Sequence, residues 1–200
     1  MAATKLFAEQ GYTRTSLAEI GQAAGYSRGI VRERFGTKER LFELVLESIR
    51  DVFNGFLSPA LEGRAGVEKI LAFAESYLAA IEHIPAEMSA IYRLRAEAAV
   101  GEVQFRKRFQ EIDEWFRSIV RGGLEEGIAA GDVSSLLDAN HAATLIVGML
   151  RGTVLQWLMS PAEVNPAAMH DSTRSIILKI MGLSGFPCVG GRLNITPPWP

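Results

Sequence analysis

The sequence predicts an all-α protein of about nine helices, and three observations carry that prediction. Apolar residues recur three and four positions apart through segment after segment, the period of a helix with one buried face. Hydroxyl residues open several of these segments, and glycine or proline closes them. No run of useful length alternates apolar and polar residues as a half-buried strand would. A chain of 200 residues that is 48% hydrophobic is also long and apolar enough to bury a substantial core.

In chain order, residues 2–10 read as a first helix with Ala3, Leu6 and Phe7 inward, stopped by Gly11. Ser16 and Glu19 form a capping box, each satisfying an amide that the start of a second helix leaves without a partner. Behind it Leu17, Ile20 and Ala24 share the inner face. Gly25 breaks the pattern, because glycine takes a left-handed helix end without steric cost. Ser27 caps a third helix whose inward positions are Ile30, Val31 and Phe35, which leaves Arg28, Gly29, Arg32, Glu33 and Arg34 outward. Two short helices joined across a glycine, the second with three exposed arginines, make a helix-turn-helix layout, in which the second helix enters the major groove of DNA.

Thr37 caps a fourth helix to about Leu57, with Leu41, Phe42, Val45, Leu46, Ile49 and Phe53 as one apolar stripe. Ser58-Pro59 and the glycines from Gly63 to Gly66 break it. The fifth helix, 67–83, turns Ile70, Leu71, Phe73, Ala74, Tyr77, Leu78 and Ile81 inward, and Pro85 opens a sixth to about Ala99. A long seventh, about 103–129, spaces Phe105, Phe109, Ile112, Phe116, Ile119, Val120 and Leu124 helically. Ser134 or Ser135 starts an eighth, to about Met159, hydrophobic nearly all round from Ala142 to Leu150. Such a helix needs two packing partners. Residues 166–181 form the ninth, and the proline- and glycine-rich stretch 184–200 reads as an irregular tail.

Composition narrows the function. The net charge is −2, yet residues 1–50 hold eight Lys/Arg against six Asp/Glu, and Arg28, Arg32, Arg34 and Lys38 cluster within eleven residues. A local basic patch, rather than net charge, decides whether a surface attracts a polyanion. The single cysteine, Cys188, forms no internal disulfide, in keeping with a reducing cytoplasm. No secretory signal is visible, and the apolar run Ala142–Leu150 ends at Arg151, too short to span a bilayer. His83, His141 and His170 have no metal-ligand spacing, and neither a phosphate-cradling glycine loop nor a nucleophile elbow is present. Asp113-Glu114 and Glu125-Glu126 are adjacent pairs that diverge on a helix. No catalytic residue, cofactor or metal is therefore assigned.

The ordered series Leu6-Phe7-Ala8-Glu9-Gln10-Gly11-Tyr12, Thr15-Ser16-Leu17-Ala18-Glu19-Ile20, Ala23-Ala24-Gly25-Tyr26-Ser27-Arg28-Gly29, Phe35 and Thr37-Lys38-Glu39-Arg40-Leu41 resembles the DNA-binding domain of the TetR family of transcriptional repressors. The match covers roughly the first quarter of the chain. The remainder is similar only in helical layout. The resemblance implies a DNA-binding domain at 1–45, a helical regulatory and dimerisation domain at 46–183, and the tail beyond. It implies that positions 28, 29 and 33 read bases and that position 32, here Arg32, faces a phosphate. Thr15, Ser16, Tyr26 and Lys38 are expected to hold phosphates, and Ser27 and Arg34 complete the expected DNA-binding set. Many relatives have Tyr-His-His-Phe where this chain has Arg32-Glu33-Arg34-Phe35. Arginine suits guanine, and Glu33 suits either a cytosine amino group or pairing with a neighbouring arginine, so the residues do not specify the operator sequence.

The same resemblance implies a homodimer on a palindromic operator, joined through helices at about 135–159 and 166–181, where Ala142, Ala143, Gly148 and Gly152 allow close approach. It implies a small hydrophobic effector whose entry tilts the helix linking the domains and releases DNA. Tyr77, Met88, Tyr92, Phe109, Phe116, Met149 and Trp157 are the candidate lining residues. The alternative is a DNA binder of the same family without small-molecule control, acting as an architectural protein or through a protein partner. Family members usually carry additional, often basic, residues before the first helix. Adding such residues upstream is expected to tighten operator binding and steepen its salt dependence; unchanged affinity and slope would contradict this.

Overall fold

The structure, a computed structural model, describes residues 2–101 and 103–183; the tail 184–200, with Cys188, lies outside the described residues. Nine α-helices follow in order: α1 Ala2–Arg14, α2 Leu17–Ala23, α3 Arg28–Phe35, α4 Lys38–Leu61, α5 Gly66–His83, α6 Pro85–Val100, α7 Val103–Ala130, α8 Ala139–Met159 and α9 His170–Ile180, the last entered through a 3-10 turn, Ala167–Met169. The described residues contain no strand. They form two compact units, one of residues 1–54 and 82–112, the other of residues 55–81 and 113 onward.

The first unit is built on Phe7, Ile20, Phe42, Leu46, Ile49, Ala90, Leu94, Ala98 and Phe109, all buried together. Each large apolar side chain removed from water contributes about 1.5–3 kcal/mol. Ala90, Leu94 and Ala98 lie four apart on α6, and two of the three are small enough to seat α1 closely. Tyr12 stacks edge-on against Phe42 and Phe105 at centroid distances of 5.2 and 4.8 Å. Its hydroxyl donates to Glu39 Oε1 at 3.0 Å.

Gly11 does break α1, with φ 80° and ψ 178°, but the chain resumes helical turns to Arg14 instead of ending there. Two α6 side chains hold that kink. Arg93 Nη1 donates to the Glu9 carbonyl at 2.9 Å, and the Glu97 carboxylate accepts the Thr13 amide and hydroxyl at 3.0 and 3.1 Å.

In the second unit α5 is buried on more than its expected stripe, since Ala72, Ser76 and Ala80 are inside as well. On one side α5 packs closely on α7 through glycines. A Cβ at Gly123 would come within 2.8 Å of Ile70 Cγ1, and one at Gly66 within 3.6 Å of Gly127. Glu126 closes the joint, accepting the Gly66 amide at 2.9 Å and the Lys69 ammonium at 2.8 Å. Those two bonds, the lysine's first, hold its carboxyl below the usual carboxylate range.

Three further helix boundaries differ from expectation. α4 runs through Pro59 to Leu61, because a proline in the final turn forfeits only one of the helix's last hydrogen bonds. α8 starts at Ala139, not at Ser134 or Ser135: Asp138 Oδ1 accepts the Asn140 and His141 amides, both at 2.9 Å, while Ser134 Oγ accepts the Leu136 amide within the preceding turn. The segment after Pro166 begins as a 3-10 turn, with Asn165 Oδ1 accepting the Ala168 amide.

By length and mean hydropathy α8 passes for a membrane span. Its inner face is instead packed within the unit at Ala142, Ala143, Ile146, Val147, Leu150 and Val154. Halfway along it Arg151 pairs with Asp113 of α7 at 2.9 Å and lies against the Phe116 ring.

Candidate nucleic-acid interface

The α2–turn–α3 segment is fixed by its own backbone and by a serine cap at the start of each helix. Ser16 Oγ accepts the Glu19 amide at 3.2 Å while Glu19 Oε2 accepts the Ser16 amide at 2.7 Å, the reciprocal pair expected from the sequence. The Ser16 hydroxyl, followed by the Ser16 amide, keeps the Glu19 carboxyl below its ordinary range. At the other end of α2, the Gly25 amide reaches the Gln22 carbonyl at 3.1 Å and the Tyr26 amide the Gly21 carbonyl at 2.8 Å. This is a Schellman closure, and Gly25 supplies its left-handed residue at φ 76°. Ser27 then caps α3, its Oγ accepting the Ile30 amide at 3.4 Å.

Close approach of α2 to α3 depends on Gly21, which the sequence pattern did not single out. A Cβ there would lie 3.0 Å from the Tyr26 carbonyl oxygen and 3.1 Å from Val31 Cγ2. Gly21 and Ile20 are the buried residues of α2, while Ala24, expected inward, is exposed.

α3 is anchored by Val31, 2% exposed, with Phe35 half-buried. Ile30, expected inward, is 47% exposed. The two inward positions four apart already use the width of contact that an eight-residue helix offers, so Ile30 turns past its edge. Gly29, Arg32, Glu33 and Arg34 are exposed, as expected. Arg28 opens the helix, and its side chain lies outside the described residues. Among the described residues no ion pair takes up Arg32 or Arg34; the Arg34 guanidinium lies 5.8 Å from the Phe35 ring centroid. Gly29 has helical backbone, and a methyl added to it would meet nothing nearer than Ser27 Oγ at 3.8 Å. The chain's own packing therefore does not require glycine there.

The expected phosphate contacts fall into two groups. Ser16, Tyr26, Ser27 and Lys38 reach solvent beside α2 and α3, with Tyr26 54% exposed. Lys38 sits over the Tyr12 ring, its ammonium 4.2 Å from the centroid and donating to the Thr13 carbonyl at 3.4 Å. Partial burial pulls its pKa down, against the opposing pull of Glu39, Glu97 and Glu19. Thr15 is a correction: it is 1% exposed, and its hydroxyl donates to the Gly11 carbonyl at 2.6 Å. Its role is to tie the kink in α1 to the start of α2, not to meet a phosphate.

The candidate effector residues are divided between the units. Tyr77, Phe116, Met149 and Trp157 belong to the second, where the Tyr77 and Phe116 rings meet edge-on at 5.4 Å. Met88, Tyr92 and Phe109 belong to the first, where Phe109 is part of the core and lies under the Arg95 guanidinium. A small recess in the second unit is lined by Leu71, Ala74, Leu78, His170, Thr173 and Arg174, with Glu75 at its edge, and by none of these seven. Among the described residues no three His, Cys, Asp or Glu side chains gather as a metal would require.

An eight-residue capped helix with a basic outer face, braced across a glycine turn on a second helix, is the geometry that presents side chains to a major groove. Comparison with known proteins agrees. Residues 1–45 match the bacterial regulatory proteins of the tetR family, and residues 66–182 match the C-terminal domain of BetI-type transcriptional repressors. The fatty acid metabolism regulator protein of Bacillus subtilis is 24% identical over 180 residues, covering 88% of this chain and 90% of that protein. The repressor KstR2 of Rhodococcus jostii is 29% identical over 185 residues, covering 88% and 85%. The crystal structure of the regulator FadR from Bacillus subtilis, in complex with stearoyl-CoA, superposes with a TM-score of 0.76 at 23% identity, over 93% of this chain and 96% of that one. These proteins are regulators of transcription rather than enzymes, and with the C-terminal match alone spanning more than half its length, the chain belongs to the TetR family of transcriptional regulators.

Proposed function

We propose that this regulator is a repressor that binds a palindromic operator as a homodimer and is released by a small hydrophobic effector. The observation that carries the DNA half of this reading is the outer face of α3, where Arg32, Glu33 and Arg34 are exposed beside a glycine that packing leaves free. On this reading residues 1–45 hold the DNA-reading elements, and 46–183 hold the pairing and effector-sensing ones. Arg28, Gly29 and Glu33 read base edges, while Arg32 and Arg34 reach bases or phosphates. Ser16, Tyr26, Ser27 and Lys38 fix the register on the phosphate backbone. A DNA ligand of this kind puts the protein in the cytoplasm.

Pairing is assigned to α8 and α9. Leu145, Gly148, Gly152, Leu155 and Met159 run along α8 at spacings of three and four, and Leu145, Leu155 and Met159 are 62%, 51% and 78% exposed. Nothing lies within 4 Å of a Cβ added at Gly148 or Gly152, so this side of the helix is open to a second copy. Ala142 and Ala143, at 2% and 0% exposure, are used inside the chain and drop out of the expected pairing surface. For the effector, Tyr77, Phe116, Met149 and Trp157, all in the second unit, are the residues assigned to meet an apolar molecule, the Tyr77 and Phe116 rings already lying together. The stearoyl-CoA bound by the similar FadR supports an acyl group as its class.

The sharpest test separates stability from binding at Gly29. Gly29→Ala is expected to raise helix stability by up to about 1 kcal/mol, and to weaken operator binding by about 1–3 kcal/mol by holding the helix away from the bases. Arg34→Ala is expected to lose a similar amount of binding with no change in melting temperature. Gel-shift titration paired with thermal melts reads both. Unchanged affinity in both variants would remove α3 from the interface. For the effector, acyl compounds are expected to stabilise the protein and to release it from DNA; stabilisation without release would favour a regulator not controlled by a small molecule.

A further inference from the structure

We infer that Ile30 is a specificity-determining residue that reads the C5 methyl group of a thymine in each half of the operator. The inference rests on α3 being the recognition helix. Its independent support is the placement of Ile30, 47% exposed in the first turn of a helix whose other outward residues are charged or glycine. Single exposed apolar residues are ordinary on protein surfaces and call for no ligand. Three features set this one apart.

The first is position. Ile30 stands at the third residue of α3, and the N-terminal turn of a recognition helix is the part that meets base edges. Tyr26, 54% exposed, and the exposed Arg34 lie four residues to either side of it. Arg34 stands about one helical turn beyond Ile30 on α3, while Tyr26 precedes the Ser27 cap in the turn.

The second is rigidity. The Ile30 amide is engaged by the Ser27 cap, and a β-branched side chain in a helix is confined largely to one rotamer. The residue therefore offers a fixed apolar surface. Gly29, immediately before it, adds no side chain of its own beside that surface.

The third is chemistry. A hydrocarbon side chain cannot hydrogen-bond to guanine, cytosine or adenine edges, and among the four bases only thymine projects an apolar group into the major groove. Burying that methyl against Ile30 removes two apolar surfaces from water together. Placed against any other base edge, Ile30 would strip water from a polar group and give nothing back.

The test uses the full chain and duplexes enriched by it from random double-stranded DNA. Each thymine of the enriched site is replaced in turn by uracil, which lacks only the C5 methyl and keeps every hydrogen-bonding group. One symmetry-related pair of positions is expected to respond, with about a fourfold loss of affinity per methyl removed and about fifteenfold for both. Ile30→Ser should bind thymine and uracil duplexes equally, and Ile30→Val should keep most of the difference. If the protein binds its enriched duplex but every uracil duplex binds as well as the original, or if Ile30→Ser retains the discrimination, the assignment of Ile30 is overturned while α3 stays the recognition helix. If no duplex is enriched at low salt, the recognition-helix reading falls and this inference falls with it.

Discussion

Gly11→Ala is expected to cost about 2–4 kcal/mol of stability, placing it among the more damaging single substitutions. Two costs combine. The φ of 80° at Gly11 is one that L-residues avoid, at about 1–2 kcal/mol. The added Cβ would also collide with the Glu97 carboxylate. Moving that carboxylate aside gives up its bonds to the Thr13 amide and hydroxyl, and Thr13 is also the residue whose carbonyl receives Lys38. The Gly11 carbonyl itself anchors Thr15, immediately ahead of the α2 cap. The damage is therefore expected to spread toward α2 and α3, so that, on the proposed function, operator affinity and the melting temperature fall together. Glu97→Gln, which keeps an acceptor oxygen for the Thr13 amide, should be much milder. Thermal or denaturant melts of the two variants check this. A Gly11→Ala protein as stable as the parent would contradict the account of the α1 kink.

Asp113→Ala is expected to destabilise the second unit by about 2–4 kcal/mol, somewhat below the range for a fully buried pair because Asp113 is not completely enclosed. The side chains of Arg151 and Asp113 are 16% and 22% exposed, with 2.9 Å between Nη2 and Oδ1. Removing the carboxylate deletes the counter-charge 2.9 Å from a guanidinium that is mostly withdrawn from water. The Phe116 ring beside the guanidinium, 5.6 Å to its centroid, carries no full charge to replace the carboxylate. Asp113→Ala combined with Arg151→Met should recover most of the loss, since two apolar side chains of fitting volume need no counter-charge. A double variant no more stable than Asp113→Ala would show that the pair is not coupled as the geometry indicates.

Much of the fold is legible in the sequence because it is encoded locally. The Ser16–Glu19 box, the Gly25 turn and the Ser27 cap each involve residues within four positions, and all three form as expected. Helix existence follows from apolar spacing in the same way. What depends on distant partners was not legible. Gly21 and Gly123 matter because another helix approaches them, and Gly127 because Val133 of the following turn folds back on it; a glycine within a helical pattern carries no sign of either. Spacing places Ile30 and Ala24 near the inner face, but how far that face extends is decided by the neighbour. Thr15 has the hydroxyl that a phosphate contact needs, and only the fold shows it turned inward to Gly11. The assignment of α6 and the start of α7 to the same unit as the first three helices rests on contacts between residues some 84 positions apart, such as Thr13 with Glu97. The outward arginines of α3 were legible because exposure is what an unmatched charge on a short amphipathic helix requires.

The central claim is that α3 enters the major groove and that two copies do so together. Selection of bound fragments from random duplex DNA by the full chain at low ionic strength, followed by measurement of stoichiometry on the enriched sequence, tests it most directly. The account predicts an inverted repeat, two chains per site or a multiple of two, and an affinity that falls linearly with salt on logarithmic axes. A monomer that enriches no inverted repeat would contradict it.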